Sequence, residues 1–164
     1  MPSTYTPIAT TTLGSAQATV DFNSISGSYT DLVLVMNVKG STTNYCQLRF
    51  NSDTGSNYSR TVLAGTGTSA VSLRSTSSAR IDIDSYASNS STDFNKNIIV
   101  QIQNYSNATT YKTLLSRANN ASDGVDAIVG LWRSTSAITS INLALNTGTY
   151  AIGSTFTLYG IKAA

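Results

Sequence analysis

The period of the apolar residues constrains this chain most. They recur at every second position in short runs, and no run shows the 3.6-residue repeat with caps that marks an amphipathic helix. Residues 138–145 come nearest to half of such a repeat and stop there. In 17–22, Ala18, Val20 and Phe22 share one face. Residues 31–39 are a continuous apolar run ended by Gly40, which predicts a strand covered on both faces at the centre of the core. Residues 97–105 and 111–117 flank a short turn and predict a hairpin. Residues 45–50 and 58–64 flank a loop of turn formers and predict a second hairpin with a long tip. Weaker strands are expected at 71–74 and 79–84, and further strands at 127–132, 137–145 and 153–164. In the closing strand Phe156, Leu158 and Gly160 face one way and Thr155, Thr157, Tyr159 and Ile161 the other.

Counted together, these are about ten strands at the roughly 8–12-residue spacing of sandwiches and barrels. There is no internal repeat and no linker-like boundary. The expected fold is therefore all-β, a single β-sandwich with jelly-roll connectivity. Residues 15–164 form the sandwich domain, and 1–14 form an extended N-terminal arm or an edge strand, because Pro7 is excluded from a central strand. Residues 86–96, rich in Ser and Asn, are the expected exposed loop.

Composition narrows the function classes. Charged residues make up 11% of the chain, against about 25% in an average soluble domain, and Ser, Thr and Asn take their place. The ten Lys and Arg are scattered singly along the chain, without the basic stripe and interleaved aromatics of a nucleic-acid binder. Residues 1–7 lack the charged and apolar regions of a secretory signal, and no run approaches the length of a membrane helix, so synthesis in the cytoplasm as a soluble protein is expected. Cys46 is the single cysteine, which excludes a disulfide framework and a thiolate zinc cluster; a buried apolar role suits it.

With no histidine, the common proton shuttle and the serine and cysteine triads are missing. All eight acidic residues are Asp. Asp82 and Asp84 share a strand face, but as neighbours at a strand end they are expected to be solvated rather than a catalytic pair. Asp53 to Asn57 echoes a calcium loop around Gly55 without the terminal bidentate carboxylate, so an Asx-rich tip is the preferred reading. Tyr5, Tyr29, Tyr58, Tyr86, Tyr111 and Tyr150 lie near strand ends, where they would either form a sugar-stacking platform or cap the core and fill interfaces, the latter being preferred. No catalytic residue, metal site or cofactor is expected.

The ending Gly153-Ser-Thr-Phe-Thr-Leu-Tyr-Gly-Ile-Lys-Ala, with the blocks at 27–35, 48–59 and 132–141, resembles a family of small bacteriophage virion structural proteins of the cyanophage and marine-phage type. The blocks keep the family's order and span most of the chain. The resemblance implies a non-enzymatic virion component made in the host cytoplasm, with no catalytic or ligand residues. Together with the chain's size and its N-terminal arm, it points to a capsid decoration or cement protein that binds the major capsid protein lattice as a homotrimer. Tyr5, Pro7 and Ile8 of the arm are then the expected partner contacts, made by strand addition. The alternative is a tail fibre or baseplate module that recognises host-surface glycan. A cell-wall depolymerase is disfavoured by the missing Glu and His.

Overall fold

Alternation predicts strands, and strands are what form. The computed structural model describes residues 4–86, 92–93 and 95–162, and no helix occurs among them. The strands are β1 (Tyr5–Thr12), β2 (Thr19–Phe22), β3 (Asp31–Val38), β4 (Cys46–Phe50), β5 (Tyr58–Gly65), β6 (Ala70–Ser78), β7 (Ile81–Asp82), β8 (Lys96–Ile102), β9 (Lys112–Asn120), β10 (Gly124–Trp132), β11 (Ile141–Leu145) and β12 (Thr155–Ile161).

They build two antiparallel sheets. The larger has eight strands in the order β1-β12-β3-β8-β9-β10-β5-β6, the smaller four in the order β2-β11-β4-β7. This is a jelly-roll winding with additions. From β2 to β11 the chain passes between the sheets as the eight strands of a jelly roll do, with β5 and β6 paired in the large sheet and a three-stranded meander, β8-β9-β10, in the place of one strand. Strands β12 and β1 then extend the large sheet beyond β3.

Because the period is two, each strand points every other side chain inward. Val20, Phe22, Leu48, Phe50, Ile141 and Leu143 of the small sheet meet Leu32, Leu34, Met36, Ile98, Val100 and Phe156 of the large one in a single buried core. Where the large sheet runs on past the small one, Val62, Ala64 and Ile128 form a second, minor cluster against Val71.

Three expectations are corrected. Strand β3 is covered on both faces only in part: its inner residues are fully buried and Val33 on the outer face is buried too, but Val35 on that face is 38% exposed, because none of the described residues forms a second layer over it. Strands β4 and β5 are not a hairpin; β4 pairs with β11 and β7, whereas β5 pairs with β10 and β6. The loop between them carries the chain from one sheet to the other through Asn51 and Ser52, both at positive φ. Asp82 and Asp84 are not a solvated strand end, since β7 closes over the inner face of the large sheet, burying Asp84 completely and leaving the Asp82 side chain 13% exposed. The predicted β8–β9 hairpin and the closing strand form as expected, β12 pairing with β1 and β3.

Candidate functional site

Of the expected partner contacts, Tyr5, Pro7 and Ile8 all lie on β1, which is paired along the edge of the large sheet and takes the edge-strand form. Tyr5 is exposed and meets Tyr159 edge-on, with ring centroids 6.2 Å apart. Pro7 sits opposite Tyr159, and its missing N–H suits an edge strand. The register shifts between Pro7 and Ala9, and Ile8 at that bulge packs against the core. Ile8 is thus committed inward, leaving Tyr5 and Pro7 on the surface.

The tyrosines divide. Tyr58, Tyr105 and Tyr150 are fully buried, and Tyr29 lies against Gly160. Tyr5, Tyr86 and Tyr111 are exposed, on β1, after β7 and before β9 respectively. Tyr58 spans the loop after β4: its hydroxyl accepts from the Phe50 amide at 3.1 Å and donates to the Phe50 carbonyl at 3.2 Å. Burial pushes its pKa up to about 12.

The Asp53 tip is closed by N–H donors. Its carboxylate accepts from the Gly55 amide at 2.8 Å, the Asn57 amide group at 2.9 Å and the Trp132 indole at 2.7 Å. These donors, the indole foremost, hold the Asp53 carboxyl below the usual carboxylate range. The loop is an Asx-type tip, and no group of metal-ligating side chains occurs among the described residues.

Polar chemistry is concentrated inside, where β7 and the residues after it cross the inner face of the large sheet. Arg60 of β5 pairs with Asp82. The other Asp82 oxygen accepts from Gln47 at 2.7 Å, and Arg80 donates to Gln47 at 2.6 Å. Burial pushes the Asp82 carboxyl up, while Gln47 and Arg60 oppose that shift. One step further, the Asp84 carboxylate contacts Lys96 Nζ, and both side chains are 0% exposed. The Cys46 amide also donates to Asp84, and Ser116 donates to the Ile83 carbonyl. Asp126 of β10, fully buried, accepts from the Ser85 and Tyr86 amides at 2.9 and 3.2 Å.

None of these inward polar residues except the Asp82 and Asp84 pair stands out as a candidate in the sequence. The signal is one of phase: Lys96 alternates in step with Ile98, Val100 and Ile102, and Asp126 in step with Ile128 and Trp132. A second lysine, Lys112, is buried in the same way on β9, but its ammonium donates to the Thr110 and Thr135 carbonyls at 2.8 and 3.1 Å.

The outer face of the large sheet has the opposite character. Cross-strand register aligns Val35, Ile99, Arg117, Ala127 and Leu63 in one row and Val33, Gln101, Leu115, Val129 and Thr61 in the next. Leu63, Leu115, Val125 and Val129 are each more than 40% exposed. Shallow grooves run between these side chains, one lined by Leu63, Gly65, Ala70, Val125 and Ala127 and another by Gln101, Thr113, Leu115 and Val129. Arg117 is the only charged residue at these positions, and Arg74 of β6, opposite Thr61, adds a second where that row reaches the sheet edge.

No protein-family model matches the chain, and no curated protein matches it in sequence.

Proposed function

We propose that the protein is a non-enzymatic structural component of a bacteriophage virion, a capsid decoration protein that docks on the major capsid protein lattice and stabilises the shell. The observation that carries this reading is the outer face of the large sheet. Eight strands at about 4.8 Å spacing and about seven residues of strand length make a face of about 900 Å², studded with exposed Leu and Val and almost free of charge. Docked against another protein, such a face matches the standard interface of about 1,600 Å² counted over both partners. Exposed Leu63, Leu115, Val125 and Val129 gathered on one weakly charged sheet face are characteristic of a docking surface rather than of a free monomer.

The resemblance of the closing strand and of the blocks at 27–35, 48–59 and 132–141 to phage virion proteins supplies the partner: the capsid lattice, which would carry the protein as a trimer on the particle surface. Tyr5 and Pro7, exposed at the β1 edge, extend the contact beyond the sheet face. The exposed tyrosines lie on three different elements, which gives a glycan-binding reading no comparable support. The test is reconstitution: shells lacking the protein are mixed with purified protein and sedimented. Co-sedimentation that saturates, together with increased resistance of the shells to heat, supports the reading, and protein left in the supernatant overturns it.

A further inference from the structure

Two lysines are buried in this chain, and their surroundings differ. Lys112 is met by two backbone carbonyls, which suffice for an ammonium. Lys96 is met by a carboxylate, Asp84, with neither side chain exposed to any degree. The two come from opposite layers, Lys96 from the large sheet and Asp84 from the segment after β7 in the small one. A third ionisable side chain, Asp126, is anchored by the amides of Ser85 and Tyr86, the two residues that follow Asp84, and its charge acts on Lys96.

We propose that Lys96 and Asp84 condense to an intramolecular amide that staples the two sheets together, with Asp126 relaying the proton. The geometry supplies what the reaction needs: an amine held against a carboxyl group in a dry, rigid site, so that no encounter step remains. Energetics favour it, because a buried ion pair costs several kcal/mol per ion in lost hydration, whereas a neutral amide leaves neither charge in the core.

The amine is suited to attack. Burial pushes the Lys96 ammonium down toward the neutral amine, against the opposing pull of Cys46 and Asp126. Burial also pushes the Cys46 thiol up, with Lys96 opposing that shift. Lys96 first passes one ammonium proton to the Asp84 carboxylate it contacts, and the neutral Nζ then adds through its lone pair to Cγ of the protonated acid, forming the C–N bond. Asp126 takes a proton from the attacking nitrogen and returns it to the departing Asp84 oxygen. The C–O bond breaks, one water leaves, and Asp126 ends in its starting state. The sum is amine plus carboxylic acid giving amide plus water, with no oxidant, reductant or co-reactant.

The test is the mass of the full-length folded protein, measured after denaturation. The expected result is a chain lighter than its sequence by one water. Trypsin should then fail to cut after Lys96 and release residues 81–112 as one peptide short of a water. Further cleavage after Tyr86 and Phe94 should leave the pieces bearing Asp84 and Lys96 joined. A full sequence mass with normal cleavage after Lys96 overturns the proposal. So does a missing water on a peptide that trypsin still cuts there, which marks an Asp84 succinimide instead. In Asp126→Asn the unlinked, full-mass chain should accumulate, and complete water loss in that variant overturns the relay assigned to Asp126.

Discussion

Trp132 donates its indole N–H to the Asp53 carboxylate at 2.7 Å, tying the last residue of β10 to the loop that carries the chain from the small sheet to the large one. The indole also stacks on the Tyr58 ring, with centroids 6.2 Å apart and planes 13° from parallel, and meets Phe50 at 5.5 Å. One side chain thus fixes both ends of the crossing. Trp132→Phe keeps most of the ring packing and removes the donor, so it should cost about 1–3 kcal/mol in denaturant unfolding. Asp53→Ala should cost a similar amount, and the double variant less than the sum, because both remove the same bond.

Acid should weaken the same junction. The Asp53 carboxyl is held below its ordinary value of 3.8 in the folded protein. A lowered folded pKa means stability that is fully present above the ordinary value and lost as pH falls through the folded one. Unfolding free energy followed from pH 6 down to about pH 2 should drop below the ordinary carboxylate value, and Asp53→Asn should flatten that drop. An unchanged acid limb would remove Asp53 from the explanation.

Alkali acts through the buried tyrosines. Burial raises the Tyr58 pKa from 10.0 to about 12 and Tyr150 well above 10.0. Groups with raised folded pKa values stabilise fully below the unfolded value and lose that contribution as pH climbs through the folded one. Stability should therefore fall between about pH 10 and pH 12, and Tyr58→Phe should make the fall shallower.

Gly160 is a packing requirement. A Cβ at this position would lie 2.3 Å from Tyr29 Cγ, far within contact distance of the ring, and Lys162 Nζ lies over the same ring 5.6 Å from its centre. Gly160→Ala should cost about 1–3 kcal/mol by forcing the Tyr29 ring away. Melting of Gly160→Ala beside Gly65→Ala, where a Cβ meets nothing within 4 Å, checks it.

Docking should be separable from folding. Leu63 and Val129 are 62% and 54% exposed, so Leu63→Lys with Val129→Lys should leave the melting temperature nearly unchanged. The same pair would place two charges in a buried apolar contact and should weaken shell binding at least about tenfold. Equal binding by the variant would take the outer face out of the interface.

Much of the architecture was legible because a strict period of two leaves little freedom. Strand β9, alternating buried and exposed through all its residues, and the closing strand both lie where the pattern puts them. The β4–β5 crossing was not legible, since a loop of turn formers looks the same whether it joins neighbours in one sheet or strands in two. The buried polar seam was half legible. The exposed loop expected at 86–96 includes Lys96, whereas Lys96 opens β8 and is fully buried. Although Lys96, Ser116 and Asp126 alternate in step with buried neighbours, residue type argued for solvent, and only the arrival of β7 across the large sheet supplies partners for them. The outer face was missed because an apolar run in β3 is the same whether its second face is covered within the molecule or left for a partner.

The central claim is that this protein belongs to the shell of a virion, and copy number tests it most directly. Quantitative densitometry of purified particles, comparing its band with that of the major capsid protein, should give a fixed ratio to the lattice, corresponding to on the order of hundreds of copies when each standard-size docking face is matched by a lattice site. A handful of copies per particle would place it on the tail and contradict the account.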